Sequence, residues 1–277
     1  MTRGGILIKK VKKFFRKKNR KRRNKRQNSS NSKLTLVLAG ISLLLVLAGL
    51  VLFFADNIGQ EMIKKETASY IDTPPEVMKK NAKQVEGQEN KERSREISFD
   101  PEQVSSLNTE DIIASQFSQK NLSTVGVISI PALKITLPIF LGVGYNTMMY
   151  GSGTMKPDQV MGQGNYALAS HTIFDMQGRA ITDVLFGNLA YAQEGQEIYI
   201  TDKDKVYVYS MDKVEQRSEE EGEVILDHSD KKELTLVTCV GYRVPGRLVI
   251  HGSLKSIKDY NSQTDKIFKQ PFNQWYK

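Results

Sequence analysis

An all-β domain, closed or nearly closed into a barrel and held behind one membrane-crossing helix, is the fold class this sequence predicts. Three observations lead there: an uncharged apolar run over 34–55, a charge-rich stretch after it, and then short strand-like segments separated by Gly, Pro, Asn and Asp. The chain has 277 residues, a formal net charge of +9 and one Cys, so no intrachain disulfide can form and a Cys-rich metal site is excluded. The charge is unevenly divided. Residues 1–33 hold fifteen Lys or Arg and no Asp or Glu, giving +15, whereas the other 244 residues carry 25 basic and 31 acidic side chains, giving −6.

Taken in order, 1–33 reads as a basic cytoplasmic segment and 34–55 as a transmembrane signal-anchor helix. The run LTLVLAGISLLLVLAGLVLFFA has 22 residues, and a helix needs about 20 to cross the hydrocarbon core. Its polar residues, Thr35 and Ser42, can bond back to helix carbonyls. Basic residues crowd its N-terminal side while Asp56 and Glu61 follow it, so the positive-inside rule leaves the N-terminus in the cytoplasm and exports the rest. A cleaved secretory signal would have a shorter apolar region of about 7–15 residues. Beside such a helix, the run KKVKKFFRKKNRKRRNKR is expected to touch anionic lipid headgroups, with Phe14 and Phe15 dipping into the interface, and not to bind nucleic acid.

Residues 56–120 read as an extracytoplasmic linker, polar and interrupted by Pro74 and Pro75, with short helical pieces over 56–69 and 109–117 and too few large apolar residues in the middle for a core. Its expected work is spacing. From 121 to 262 the segments 125–130, 135–140, 165–170, 197–200, 205–218, 233–239 and 247–254 read as strands, with a helical turn near 180–186 and a hairpin turn at Asp202–Lys205. Strand after strand without long intervening helices points to a barrel, which also removes exposed edges. Residues 263–277 read as a C-terminal tail.

Side chains alternate along a strand, so Glu233, Thr235, Val237 and Cys239 share one face, and Leu234, Leu236 and Thr238 the other; Arg247, Val249 and His251 likewise share a face. A lone Cys is by default a small buried hydrophobe, and a strand-end His such as His171 is by default a satisfied structural residue. His228 reads as surface and His251 as packed. A Cys, a strand-end His and a strand-borne Arg are nonetheless the minimum for thiol acyl transfer: the thiol supplies the nucleophile, the imidazole moves the proton and the guanidinium holds an anionic oxygen.

LTLVTC at 234–239 resembles the TLxTC signature of sortases, and the surrounding order matches: VGVISIPAL near the domain start, then YGSGTM, ASH, TLVTC and an Arg beginning the next strand in GRLVIHG. The resemblance covers about residues 120–262. It implies an eight-stranded sortase-type β-barrel with short helices and a cysteine transpeptidase that anchors surface proteins to the Gram-positive cell wall. Residue by residue, it implies that His171 is the catalytic histidine, Cys239 the nucleophile and Arg247 the residue that positions the sorting signal and steadies the oxyanion. Arg243 is the rival arginine, in the VGYRVPG loop. Thr235 resembles a residue that helps form the oxyanion hole, and Ser170 is expected to line the site.

The N-terminal anchor without a later apolar run resembles class A, and Asp100-Pro101 followed by Glu102 lacks the aromatic of pilus-type lids. Class A implies cleavage of LPxTG-like signals between Thr and Gly, then transfer to an amine of lipid II or peptidoglycan. No cofactor is expected to be required. Calcium stimulation stays open, because Glu194, Glu197, Glu219, Glu220, Glu221 and Glu223 cluster in loops without EF-hand spacing. A sortase with another signal and a membrane-tethered scaffold without catalysis are the alternatives.

Overall fold

Eight strands close into one barrel in the order β1-β2-β3-β4-β7-β8-β6-β5. The computed structural model describes residues 34–50, 53–83, 99, 122–175, 177–218, 220–241 and 244–269. The basic segment 1–33, the Asp100-Pro101-Glu102 stretch, the helical piece expected over 109–117, Glu219, Arg243 and the last eight residues lie outside them. The chain divides into two units, 1–55 and 56–277.

In the first unit, helix α1 covers 34–50, and each of its residues is exposed. Among the described residues no helix is long and apolar enough to cross a membrane. Of the helix expected over 34–55, residues 34–50 are helical and Phe54 N donates to the Leu50 carbonyl at 3.1 Å, while residues 51 and 52 lie outside the described ones.

In the second unit, helices α2 (Ala55–Ile71) and α3 (Pro75–Ala82) precede the barrel. Pro74 and Pro75 end one helix and open the next: Pro75 occupies the first helical position, where a missing N–H removes no hydrogen bond. The strands are β1 (Thr124–Ile130), β2 (Ile135–Phe140), β3 (Ser152–Thr154), β4 (Asn165–Ala169), β5 (Glu197–Thr201), β6 (Lys205–Arg217), β7 (Glu233–Gly241) and β8 (Val244–Asp259). A short helix α4 (Tyr145–Tyr150) lies between β2 and β3, and α5 over 265–269 follows β8. The hairpin expected at Asp202–Lys205 joins β5 to β6, where Asp202 Oδ1 accepts from the amides of Asp204 at 3.0 Å and Lys205 at 2.8 Å.

Two expectations need correction. Strand β3 has no counterpart among the predicted strands, because three residues are too few to display a period. Its Gly153 is required by close approach: a Cβ there would stand 2.1 Å from the Gly142 carbonyl oxygen. The helical turn expected near 180–186 falls instead at Gly187–Tyr191 as a 3-10 turn, and 180 pairs with Phe174 in an isolated bridge.

All seven residues of β1 are buried, which explains why four of them are Val or Ile and none is charged. Ile128 and Ile130 face the barrel interior with Ile139, Leu168, Leu234, Leu236 and Ile250, whereas Val127 joins an outer cluster with Ile71, Met78, Val206, Val208 and Phe268. That outer cluster is built by α2, α3 and α5. Part of the segment expected to be a spacer is therefore a layer of the fold. Ile63 and Tyr70 of α2 reach the main core, Tyr70 meets Phe140 edge-on at 5.1 Å, and Asn81 Nδ2 donates to the Thr124 carbonyl at 2.9 Å. Lys203 Nζ donates to the Thr73 carbonyl at 2.8 Å, and burial holds its ammonium below the usual lysine range.

This layer has a measurable consequence. Met78 is 1% exposed, so Met78→Ala is expected to cost about 2–5 kcal/mol of stability by urea unfolding. A position in a mere spacer would change stability by no more than about 0.5 kcal/mol.

Candidate active site

Strand β7 carries the lone cysteine between two different neighbours. On one side β8 runs antiparallel, with Cys239 directly opposite Arg247, Val237 opposite Val249 and Thr235 opposite His251. On the other side β4 runs parallel, with Ala167 level with Thr235 and Ala169 level with Val237. The chain stays close past the last ladder pair: Ser170 N donates to the Val237 carbonyl at 3.2 Å, and Thr238 Oγ1 donates to the Ser170 carbonyl at 2.8 Å. The hydroxyls of Thr172 and Thr238 lie 2.8 Å apart.

Cys239 and Arg247 are thus cross-strand neighbours, and His171 follows two residues after the β4 residue level with Val237. Cys239 is buried, 5% exposed, and in no disulfide, and His171, two residues past the end of β4, is fully buried. The Tyr145 ring stands 6.4 Å from the imidazole at 61°, and Phe186 N donates to the His171 carbonyl at 3.3 Å. Arg247 Nη1 donates to the Gly246 carbonyl at 3.1 Å. The other histidines are elsewhere. His228 is exposed with Nδ1 2.7 Å from Glu233, and His251 has Nε2 3.1 Å from Glu215, four residues beyond Arg247 and so roughly 13 Å along the strand.

The remaining predicted residues are not brought to the thiol. Thr235 is fully buried and donates to Asn165 Oδ1 at 2.8 Å. Four residues of strand separate it from Cys239, again roughly 13 Å, which is too far for a hydrogen bond to an oxyanion formed there. Ser170 is also fully buried, and its hydroxyl donates to the Gly151 carbonyl at 2.6 Å. It anchors the turn before β3 instead of facing open space.

Two residues outside the sequence-based set matter here. Thr238 bonds to both residues that flank His171 and fixes the main chain on either side of the imidazole. Strand alternation alone had turned it away from Cys239, and its partners come from a segment 66 and 68 positions away, so no local signal pointed to it. Arg217 on β6 is the cross-strand partner of Arg247. Two like charges directly opposite each other repel, and Glu215 and Glu221 offset this by taking the Arg217 guanidinium at 2.9 Å each. Lys213 and then Arg217 draw the Glu215 carboxyl down to about 2.

A chain of 277 residues with this barrel and this arrangement of side chains can be set beside known proteins. Sortase A of Streptococcus agalactiae is 36% identical over 227 residues, covering 82% of this chain and 87% of that protein. The chain belongs to the sortase family. The sortase domain model matches residues 128–255, and sortase A of Listeria monocytogenes is 27% identical over 238 residues, 85% of this chain and 96% of that one. Both relatives bear the name sortase A, and this sortase is of class A. The crystal structure of sortase C-3 from Streptococcus pneumoniae, at 18% identity and a TM-score of 0.52 over 76% of this chain and 98% of that one, shares the fold.

On the face that carries Cys239, this sortase has a small cavity of about 40 Å³ lined by Val237, Val249, Arg217, Arg247 and the Val224-Ile225 stretch of the β6–β7 connector. The connector is pinned at its far end by the Lys156–Asp227 ion pair at 2.5 Å, which draws the Asp227 carboxyl below the usual range. Among the described residues no group of three or more His, Cys, Asp or Glu is placed to hold a metal ion.

The Glu215 junction gives this face an acid limit. An unfolded Glu titrates near 4.3 and the folded one at about 2, so the unfolded state binds the proton first and stability falls as pH drops through that window. Acid-unfolding curves of wild type and Glu215→Gln are expected to differ there, the variant showing the shallower loss between about pH 4.3 and about pH 2.

Proposed function

We propose that Cys239, His171 and Arg247 are the catalytic residues of a class A transpeptidase acting on LPxTG-like sorting signals. The observation that supports this reading is the register that sets Cys239 opposite Arg247 on β8 and Ala169, two residues before His171, level with Val237, two residues before Cys239. A thiol ordinarily titrates near 8.5 and an imidazole near 6.5, so only a small part of an isolated pair is thiolate and imidazolium at neutral pH. Burial favours the net-neutral pair over a lone thiolate, because an isolated charge is costly to bury.

In this reading the Cys239 thiolate attacks the carbonyl between Thr and Gly, and Arg247 faces the oxygen that gains charge. The tetrahedral adduct collapses, the Gly amine leaves with the proton from the His171 imidazolium, and a thioester remains. An acceptor amine of a cell-wall precursor such as lipid II then loses a proton to His171 and displaces the thiolate, forming the new amide. Water in place of the amine gives slow hydrolysis. The apolar cavity beside Arg247 supports a signal whose Leu and Pro lie along β7 and β8, away from the thiol. Thr235 and Ser170 act in this scheme by holding the main chain, consistent with their buried hydrogen bonds.

The anchor reading extends the proposal to the membrane. The apolar run of 34–55 has seventeen residues, 34–50, in a helix with every residue exposed, and an apolar surface of that kind requires lipid or protein around it. A single-pass anchor with the basic segment against anionic headgroups meets the requirement. The scheme uses no metal ion; at the connector Lys156 is the cation paired with Asp227.

Incubation with a quenched LPETG peptide and an amine acceptor tests the reading by product mass. Wild type is expected to give the ligated amide at an unchanged rate with EDTA or calcium, and Cys239→Ala none; a wild type that consumes no peptide and forms no mass-shifted acyl-enzyme overturns it. Arg247 is separable from thiol activation. Arg247→Ala is expected to lower kcat/KM at least about 100-fold, while the pH profile of Cys239 alkylation moves by less than about one unit. A shift of several units would make Arg247 an activator of the thiol.

A further inference from the structure

The sorting-signal pocket is walled on one side by a connector that has little regular structure, yet its placement is tightly held. Asn165, the first residue of β4, is 1% exposed and uses its whole side chain on this task. Its Nδ2 donates to the Val224 carbonyl at 3.0 Å and the Leu226 carbonyl at 3.2 Å, while its Oδ1 accepts from Thr235 Oγ1 at 2.8 Å. Its main-chain N–H donates to Asp227 Oδ1 at 2.7 Å. The carboxamide therefore has both hydrogens and its oxygen engaged, and the Thr235 hydroxyl fixes which way it faces.

Val224, whose carbonyl accepts one of these bonds, and Ile225, which lies between the two accepting residues in the chain, line the cavity with Val237, Val249, Arg217 and Arg247. The same strand face that carries the nucleophile thus carries, two positions apart, Thr235 to orient Asn165, Val237 to floor the pocket and Cys239 to react. We propose that Asn165, oriented by Thr235, is the positioning residue that sets the width of the pocket for the apolar side chain of the sorting signal. The proposal rests on the sortase reading above. It makes Thr235 a specificity residue acting through Asn165, in place of the oxyanion role expected from the TLxTC motif.

The geometry distinguishes hydrogen bonding from mere volume. Asn165→Ala removes all three side-chain bonds. Asn165→Asp keeps the shape but turns a carboxylate oxygen on two carbonyls, which repel it. Thr235→Val removes the orienting donor, and Thr235→Ser keeps it.

Steady-state kinetics with LPETG and with a peptide whose Leu is replaced by Ala, run beside Cys239→Ala, test this on the full-length enzyme. Asn165→Ala, Asn165→Asp and Thr235→Val are each expected to raise KM for LPETG about tenfold while kcat changes less than about twofold, the signature of lost uniform binding, and to narrow the preference for Leu over Ala. Thr235→Ser is expected to match wild type. Hydrogen exchange supplies an arm independent of substrate: amides of 222–227 are expected to exchange faster in the three disrupting variants, with β7 and β8 unchanged. Faster exchange without a change in KM or Leu preference overturns the proposal, as does unchanged exchange, or a loss of kcat together with cooperative unfolding. If wild type turns over no sorting peptide, the sortase-signal reading fails and, with it, the pocket role, whereas a wild type that turns over LPETG beside variants of unaltered KM sinks only the Asn165 proposal.

Discussion

The parallel pairing of β4 with β7 is the constraint on which the rest of the site depends. Parallel strands have no tight hairpin to set their register, so the alignment of these two rests on side chains. Leu168, Leu234 and Leu236 on the inward face join the main core, and a one-residue slip would turn them outward. The same register sets Ala169, the end of β4, level with Val237, so that His171 follows on the Cys239 side. Thr238 then ties the chain on both sides of His171, so the geometry of the imidazole is inherited from barrel packing.

Both faces of this sheet are covered, and the two covers differ in kind. Over β1 and β6 the cover is apolar: α2, α3 and α5 bury Ile71, Met78 and Phe268 against Val127, Val206 and Val208. Over β4 and β7 a smaller apolar cluster of Val143, Met148, Met155, Ala167, Ala169 and Val237 gives way to polar ties toward the connector. A layer held by apolar burial stands away from the chemistry, and one held by polar ties stands beside it. Segments that admit substrate come from the less stable part of a fold, and here hydrogen bonds to Asn165 and the Lys156–Asp227 pair hold in place what hydrophobic burial does not.

Charge on the cysteine face follows the same economy of position. Arg247 and Arg217 would repel as cross-strand neighbours, and the two glutamates that hold Arg217 offset that repulsion beside Cys239. His251 closes the network at Glu215, so the histidine deep in the strand is a structural partner and not a base.

Seven of the eight strands, the Asp202–Lys205 hairpin and the TLxTC stretch that places Cys239 on β7 were legible in the sequence. Each leaves a local mark: alternation, a turn signature, or a motif read at fixed spacing. Period and turn chemistry act between residues close in the chain, which is why they can be read there. Strand β3 left too short a mark, and α2 and α3 looked like a spacer because their few apolar residues, Ile63, Ile71 and Met78, become a core only when the barrel supplies the other half. Thr235 and Ser170 were found, but what they do was not. A hydroxyl's role is set by which acceptor lies within about 3 Å, and Asn165 stands 70 residues from Thr235 while Gly151 stands 19 from Ser170. Sequence determined the chemistry this chain can perform. Tertiary structure decided which polar groups are free to take part, because burial and long-range register assign the partners.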